Sequence, residues 1–192
     1  MTQDALYARL KAALPPDRSI VLVGLMGAGK SSIGRRLAKR LDLPFSDADA
    51  EIEQAAGQSV ADIFAAHGEE GFREGERKVI ARLLAERHGV LATGGGAFMS
   101  AETRARIAER GISVWLKADL DLLHKRTAHR THRPLLRTAD PRKVLADLID
   151  ARYPVYAEAD VTVESRDVPH EEGVAAVAEA ILAHLEQERD PA

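Results

Sequence analysis

The residues best suited to chemistry are organised around a glycine-rich stretch at 24–31, Gly-Leu-Met-Gly-Ala-Gly-Lys-Ser. It fits the phosphate-loop pattern G-x-x-x-x-G-K-[S/T], with a short apolar run before it and a helical pattern after it. Glycines allow a tight turn whose N–H groups point inward, and the following helix adds the positive end of its dipole. The stretch predicts a polyphosphate site in which Lys30 reaches the β- and γ-phosphates and Ser31 binds Mg²⁺. The alternative, a turn that binds nothing, is disfavoured because every motif position and both flanks match.

Two aspartates, Asp47 and Asp49, follow a second short apolar segment. In an extended chain, residues two apart project to the same side, and ligands of doubly wound folds bind beyond the strand ends. One carboxylate is then expected near Mg²⁺ and the attacking hydroxyl, and the other on an acceptor substrate. The alternative is a loop in which Asp49 only caps the next helix.

Glu76 interrupts the apolar stripe of a predicted helix, which is costly unless the carboxylate has a partner. Arg73, three residues earlier, can supply one, although a solvated ion pair is the alternative.

Three consecutive glycines, Gly94, Gly95 and Gly96, follow a third strand. They would let the backbone approach a small ligand and offer it N–H groups. A flexible strand-to-helix turn is the alternative.

A basic cluster follows in the second half of the chain, where no clean period is visible around 129–140. Its members are Lys125, Arg126, Arg130, Arg133 and Arg137. The cluster is too local for a nucleic-acid surface and suits a lid that closes over a triphosphate, where an arginine can stabilise transition-state charge. His129 and His132 lack further ligands at metal-binding spacing and are interpreted as loop residues.

Strand and helix patterns alternate along the chain, which predicts an α/β fold with a parallel sheet and helices on both faces. Predicted strands lie at 20–23, near 47, and at 90–93, 112–116 and 161–163. Predicted helices lie at 4–14, 32–41, 52–56, 60–66, about 72–84, 100–110, 119–128, 141–151 and about 174–185. The domain organisation expected is a helical extension at 1–18 and one domain at 19–188, with a substrate-binding helical insert at about 48–88 and a lid at about 127–140.

Composition excludes several classes of protein. The 192 residues are 45% hydrophobic and 30% charged, as in an ordinary globular domain, and a net charge of −3 argues against a general nucleic-acid or membrane-surface binder. The chain has no cysteine, which excludes thiolate metal sites and a cysteine nucleophile. No secretory signal or membrane-length apolar run is apparent, and with ATP as the expected ligand we predict a cytoplasmic protein.

In their order and spacing, these motifs together resemble the shikimate kinase family from about residue 20 to the end of the fifth strand. The segments that carry the resemblance are the phosphate loop, Asp47-Ala48-Asp49, Gly71-Phe72-Arg73 with Glu76, Gly94-Gly95-Gly96, Arg133-Pro134-Leu135-Leu136 and Arg152-Tyr153-Pro154-Val155-Tyr156. Ser32 stands where the family often has threonine, and the N-terminal helix is additional.

The resemblance implies a P-loop, nucleoside-monophosphate-kinase-like three-layer fold with a five-stranded parallel sheet and a mobile lid. It implies transfer of the γ-phosphoryl group of MgATP to the 3-hydroxyl of shikimate, by a monomer. Lys30, Asp47 and Arg133 would be the catalytic residues, and Ser31 and Asp47 would bind Mg²⁺. ATP would be bound by Gly27, Ala28, Gly29, Lys30, Ser31, Ser32, Arg126 and Arg133. Shikimate would be bound by Asp49, Arg73, Gly95, Gly96 and Arg152, which suits a carboxylate bearing a triol.

Two other functions compete with this interpretation. A gluconate kinase of the same fold also acts on an anionic polyol, and the joint Gly-Phe-Arg, triple-glycine and second-arginine pattern disfavours it. A catalytically silent regulatory domain that only senses shikimate or ATP is expected to have lost at least one of four residues. Those four, Lys30, Ser31, Asp47 and Arg133, are all present.

Overall fold

The described residues of the computed structural model, 2–86, 88–128, 136 and 138–190, form a three-layer α/β fold. Its five-stranded sheet has the order β2-β3-β1-β4-β5, and every neighbouring pair is parallel. The strands are β1 Ser19–Val23, β2 Phe45–Asp47, β3 Val90–Ala92, β4 Gly111–Lys117 and β5 Val161–Glu164. The predicted parallel sheet is therefore confirmed.

Helices connect these strands and cover the sheet. Within the described ranges they are α1 Gln3–Ala13, α2 Lys30–Leu41, α3 Ala48–Ala56, α4 Val60–Glu86, α5 Ala101–Arg110, α6 Leu120–Thr127, α7 Pro141–Tyr156 and α8 His170–Arg189. Helices α1, α2 and α8 pack against one another, while α4 and α5 form a separate packed pair. No helix in the described part of the chain combines the length and the apolar character needed to cross a membrane.

The core is centred on β1, where all five residues are buried. A central parallel strand is covered on both faces, which explains why its sequence is apolar without alternation. The register pairs Leu22 with Ala92 of β3 and with Val114 of β4. Because parallel strands end at the same edge of a sheet, the segments after β1, β2 and β3 are brought together there.

The predicted conformation around Asp49 is wrong. Asp49 lies in the first turn of α3 and is not extended. The helix cap is Asp47, whose Oδ1 accepts the N–H groups of Asp49 and Ala50 at 3.1 and 3.4 Å. The cap begins the helix one residue after β2 because a carboxylate satisfies its first free N–H groups.

The predicted end of α7 is also wrong, because the helix continues from Ala151 through Pro154 to Tyr156. The helical insert is closer to prediction: α3 ends at Gly57, and α4 is interrupted by Gly68, whose φ and ψ of 68° and −177° are not helical. The predicted lid at about 127–140 falls largely outside the described residues, and Arg130, Arg133 and Arg137 lie outside them.

Candidate active site

The phosphate loop connects β1 to α2 in a conformation that requires glycine. Gly24, Gly27 and Gly29 have φ values of 139°, 84° and 99°, which residues with a side chain rarely adopt. A side chain at Gly24 would also clash with its surroundings, because a Cβ there would lie 2.8 Å from the carbonyl oxygen of Leu116. The glycines therefore determine the shape of the loop, which leads directly into the N-terminus of α2.

Lys30 is the first residue of α2 and is only 8% exposed. Its Nζ donates hydrogen bonds to the carbonyl oxygens of Gly24 and Leu25, at 2.7 and 2.9 Å. These contacts hold the ammonium group over the loop that it is predicted to serve.

Ser31 and Asp47 meet across the gap between α2 and the end of β2. The Ser31 hydroxyl donates to Oδ2 of Asp47 at 2.6 Å. A hydroxyl and a carboxylate beside a phosphate loop are the hard oxygen donors that Mg²⁺ prefers when nucleotide phosphates complete its shell. The pair therefore fits the predicted metal. Within the described ranges, no group of three or more His, Cys, Asp or Glu side chains could hold a metal ion by itself.

A cleft of about 930 Å³ joins these groups. Its walls include most of the predicted nucleotide residues and, beyond Asp47, the start of the predicted acceptor site. The predicted residues on the walls are Gly27, Gly29, Lys30, Ser31, Ser32, Asp47, Asp49, Gly95 and Arg126. The cleft therefore brings the phosphate loop and both aspartates to one surface, even though Asp49 is helical.

Arg126 fixes the far end of the cleft. Its guanidinium donates to the carbonyl oxygen of Gly27 at 3.2 Å, to the Ser165 hydroxyl at 2.9 Å and to the carbonyl oxygen of Arg166 at 2.7 Å. The Ser165 hydroxyl in turn donates to the carbonyl oxygen of Ala28 at 2.9 Å. Arg126 thus ties α6 to the phosphate loop and to the β5–α8 connection.

Arg73, which is partly exposed, pairs on α4 with the buried carboxylate of Glu76, so the alternative of a fully solvated pair is wrong. Arg73 Nη1 donates to Glu76 Oε1 at 2.8 Å, and Glu76 is only 1% exposed. Burial raises the pKa of Glu76, and the positive charge of Arg73 opposes that shift. The second oxygen, Oε2, is buried and has no hydrogen-bond partner among the described residues, and it lies 2.8 Å from where a Cβ of Gly94 would be.

The triple-glycine turn accommodates both arginines. A Cβ on Gly96 would lie 2.2 Å from Nη2 of Arg73, and one on Gly95 would lie 3.3 Å from Nη1 of Arg152. Arg73, Gly96 and Arg152 are not on the walls of the cleft but adjoin it through this turn. The absence of side chains thus lets two guanidinium groups approach one stretch of backbone, and the turn has a packing role beyond flexibility.

Some residues around the cleft and the glycine turn are not among the predicted site residues. Glu76 was visible as a carboxylate in an apolar stripe, which is the signal of a buried partner for Arg73. Ser165 and Val168 carry no such signal, yet Val168 lies on the cleft wall with 37% of its surface exposed. Arg133, the predicted lid arginine, lies outside the described residues.

Comparison with known proteins places this site in a family. The sequence pattern of the family described as shikimate kinase matches residues 26–186. The shikimate kinase of Paramagnetospirillum magneticum is 60% identical over 172 residues, which cover 90% of this chain and 88% of that protein.

Solved structures agree with the sequence comparison. The shikimate kinase from Acinetobacter baumannii in complex with shikimate has a TM-score of 0.82 and 38% identity, covering 95% of this chain and 99% of that one. A gluconokinase from Sinorhizobium meliloti has a TM-score of 0.60 at 22% identity, covering 91% of this chain and 95% of that one. The second likeness shows a shared fold only.

Proposed function

This chain belongs to the shikimate kinase family, and we propose that it transfers the γ-phosphoryl group of ATP to the 3-hydroxyl of shikimate, giving shikimate 3-phosphate and ADP. One observation carries the proposal. A phosphate loop and a glycine turn lie together at one edge of the sheet, and two arginines approach the glycine turn. One half suits a triphosphate, and the other suits a small carboxylate with several hydroxyls.

The nucleotide half consists of the phosphate loop, the N-terminus of α2 and Arg126. Backbone N–H groups of Gly27, Ala28 and Gly29, with Ser31 and Ser32 at the start of α2, receive the phosphates. Lys30 places a full positive charge on the β- and γ-phosphates, where charge redistributes during transfer. Arg126 lies against the adenine, held by its bonds to the loop and to Arg166. Arg133 remains the predicted lid arginine from sequence.

Ser31 and Asp47 would hold Mg²⁺, with phosphate oxygens completing its coordination. When bound, the metal would supply positive charge that stabilises the phosphates during transfer. We also assign to Asp47 the role of accepting the proton of the attacking hydroxyl, which a positioned carboxylate can perform. Oδ1 of Asp47 accepts an N–H group at the N-terminus of α3, and this bond fixes the orientation of the carboxylate.

The acceptor half is built around the glycine turn. Arg73 and Arg152 pair with the shikimate carboxylate, since a guanidinium presents donors in a geometry that matches it. Asp49 and the N–H groups of Gly95 and Gly96 bind hydroxyls. Glu76 holds Arg73 in place through the buried 2.8 Å bond.

The same proposal includes the cellular location, the oligomeric state and the domain organisation of the enzyme. We assign it to the cytoplasm, because its co-substrate is ATP, and we propose that it acts as a monomer. Residues 19–188 form the kinase domain, with the substrate-binding insert at about 48–88 and the lid at about 127–140. The extension at 1–18 contributes α1, whose buried Leu6, Tyr7 and Leu10 pack it against α2 and α8.

A coupled assay of ADP release tests the reaction directly. With MgATP, shikimate should support turnover, whereas gluconate and nucleoside monophosphates at equal concentration should not, because they lack the ring carboxylate that the two arginines recognise. The product should be identified as the 3-phosphate by phosphorus NMR. Preference for gluconate would favour the rival kinase, and binding without turnover would favour the silent regulatory domain.

Substituting Gly96 with alanine should raise the KM for shikimate about ten- to a hundredfold, because loss of charge-assisted bonds costs about 1.5–3 kcal/mol. The added Cβ would displace the Arg73 guanidinium, since the two would lie only 2.2 Å apart. Gly96 has a φ of −96°, so alanine adds no backbone strain. The KM for ATP should not change.

Gly75→Ala is the matched control for this substitution. Gly75 lies on the same helix as Arg73, and a Cβ there would meet nothing within 4 Å. Its kinetics should match those of the wild type. An unchanged shikimate KM in Gly96→Ala would mean that the position of Arg73 does not matter for shikimate.

A further inference from the structure

Tyr156 is a fully buried side chain at the C-terminus of α7, with no exposed surface. It lies four residues after Arg152, so the two side chains occupy one face of the helix. This is a consequence of α7 continuing through Pro154, since a helix that stopped at Ala151 would not align them.

The Tyr156 hydroxyl connects two parts of the proposed acceptor site. It donates a hydrogen bond to the carbonyl oxygen of Gly95. The Arg152 guanidinium lies beside the same glycine, since its Nη1 is 3.3 Å from where a Cβ of Gly95 would be. Burial raises the pKa of the Tyr156 hydroxyl, and the nearby positive charge of Arg152 opposes that shift. The Tyr156 hydroxyl and the arginine proposed to bind the carboxylate therefore both lie against Gly95, whose backbone is proposed to bind hydroxyls.

The bond to Gly95 also orients the next N–H group. The carbonyl of Gly95 and the N–H of Gly96 belong to one planar trans peptide unit, so they point in opposite directions. Fixing the carbonyl towards Tyr156 directs the Gly96 N–H away from it. In the proposed function this N–H is one of the donors to shikimate.

We propose that Tyr156 is a positioning residue for shikimate, which sets the Arg152 guanidinium and the Gly95–Gly96 peptide in the geometry that binds the acceptor. This inference rests on the proposed function, because it assumes that Arg152 and the glycine turn contact shikimate. It gives the tyrosine hydroxyl a role that packing alone does not require.

The surroundings of Tyr156 agree with that role. Its ring packs in an apolar group with Phe98, Trp115 and Tyr153, at centroid distances of 6.4, 5.9 and 6.1 Å. A phenylalanine would satisfy this packing without bringing a polar atom into the core. Burial raises the pKa of Tyr156 to about 12, so the hydroxyl keeps its proton and remains a donor at physiological pH.

Tyr153 provides a matched control on the same helix. Its hydroxyl also donates to a backbone carbonyl, that of Ala118, and burial raises its pKa to about 12 as well. Its ring packs on Trp115 at 4.9 Å. Ala118 follows β4, whereas Gly95 belongs to the glycine turn, so the two tyrosines differ in what they hold.

Tyr156→Phe should raise the KM for shikimate by about three- to tenfold, as expected for the loss of one neutral hydrogen bond. The KM for ATP should stay within about twofold, and kcat should fall less than the shikimate KM rises. Tyr153→Phe, measured in parallel, should lower the melting temperature but leave both KM values unchanged. A Tyr156→Phe enzyme with an unchanged shikimate KM, or with equal changes for both substrates, would overturn the proposal.

A measurement on the wild-type enzyme does not depend on whether Tyr156→Phe folds. The chain contains three tyrosines, so carbon-13 labelling at the tyrosine Cζ gives three NMR signals. Tyr7→Phe and Tyr153→Phe assign two of them and identify Tyr156 by elimination. Saturating shikimate should shift the Tyr156 signal much more than the Tyr7 signal, and an unresponsive Tyr156 would contradict the inference.

Arg152→Ala separates failure of this inference from failure of the proposed function. If Arg152→Ala leaves the shikimate KM unchanged, the assignment of the carboxylate to Arg152 is wrong. If Arg152→Ala raises it about ten- to a hundredfold while Tyr156→Phe does not, the proposed function stands and only the role of Tyr156 is wrong.

Discussion

Lys30→Ala should lower kcat by about a hundred- to a thousandfold, the scale seen when one preorganised donor to a developing charge is removed. Lys30 already lies over the phosphate loop, bonded to Gly24 and Leu25. In the proposed function, Lys30 donates to phosphate oxygens of ATP from the same position over the loop. Because the interaction strengthens in the transition state, the loss should appear mainly in kcat, measured at saturating ATP and shikimate.

The same substitution should also reduce stability, which calls for a control. Two carbonyl oxygens lose a charged donor, at a cost of about 1–3 kcal/mol, so the melting temperature should be recorded for each variant. Lys39→Ala removes an exposed lysine from the last turn of the same helix, and it should leave kcat unchanged. Turnover of folded Lys30→Ala within a few-fold of wild type would remove Lys30 from the mechanism.

The strands were predictable because their signals are local. The run 20–23 is apolar on both faces, as a central parallel strand must be, and β1 is fully buried. The break between the predicted helices 52–56 and 60–66 was also visible, since Gly57 ends α3 through its own left-handed backbone conformation. Local signals did not suffice everywhere, since the cap of α3 is Asp47 and not Asp49.

The end of α7 was missed because a distant contact outweighs a local signal. Proline inside a helix costs about 3 kcal/mol or more, which made Arg152 to Tyr156 look like a segment beyond the helix. The rings of Tyr153 and Tyr156 pack around Trp115 of β4, and their hydroxyls bond to Ala118 and Gly95. Burial of such rings stabilises the helix enough to offset the proline.

The site residues were predicted from motifs and from the resemblance to the shikimate kinase family, but the contacts between them were not visible in sequence. A glycine triplet shows that side chains are absent, without showing which neighbour needs the space. The closeness of Gly96 to Arg73 and of Gly95 to Arg152 depends on packing between distant segments of the chain. The burial of Glu76 likewise depends on where α4 lies against the glycine turn.

Asp47→Asn should lower kcat by about a hundred- to ten-thousandfold, the range expected for loss of general-base catalysis by a positioned carboxylate. Asparagine keeps the side-chain oxygen that caps α3, where Asp47 Oδ1 accepts two N–H groups. It removes the negative charge facing Ser31, whose hydroxyl now donates to Oδ2 at 2.6 Å. Folding should therefore survive while the proposed proton acceptor and metal ligand are lost.

Varying the concentration of Mg²⁺ distinguishes these two roles of Asp47. A weakened metal site raises the Mg²⁺ concentration needed for half-maximal turnover, whereas a missing proton acceptor keeps kcat low even at saturating Mg²⁺. Asp119→Asn is the matched control, because Asp119 caps α6 through its bond from the Leu122 N–H at 2.8 Å and does not line the cleft. It should retain full turnover and the same Mg²⁺ requirement. If Asp47→Asn recovers wild-type kcat at saturating Mg²⁺, its carboxylate only helps to hold the metal, and the proton of the shikimate hydroxyl must leave by another route.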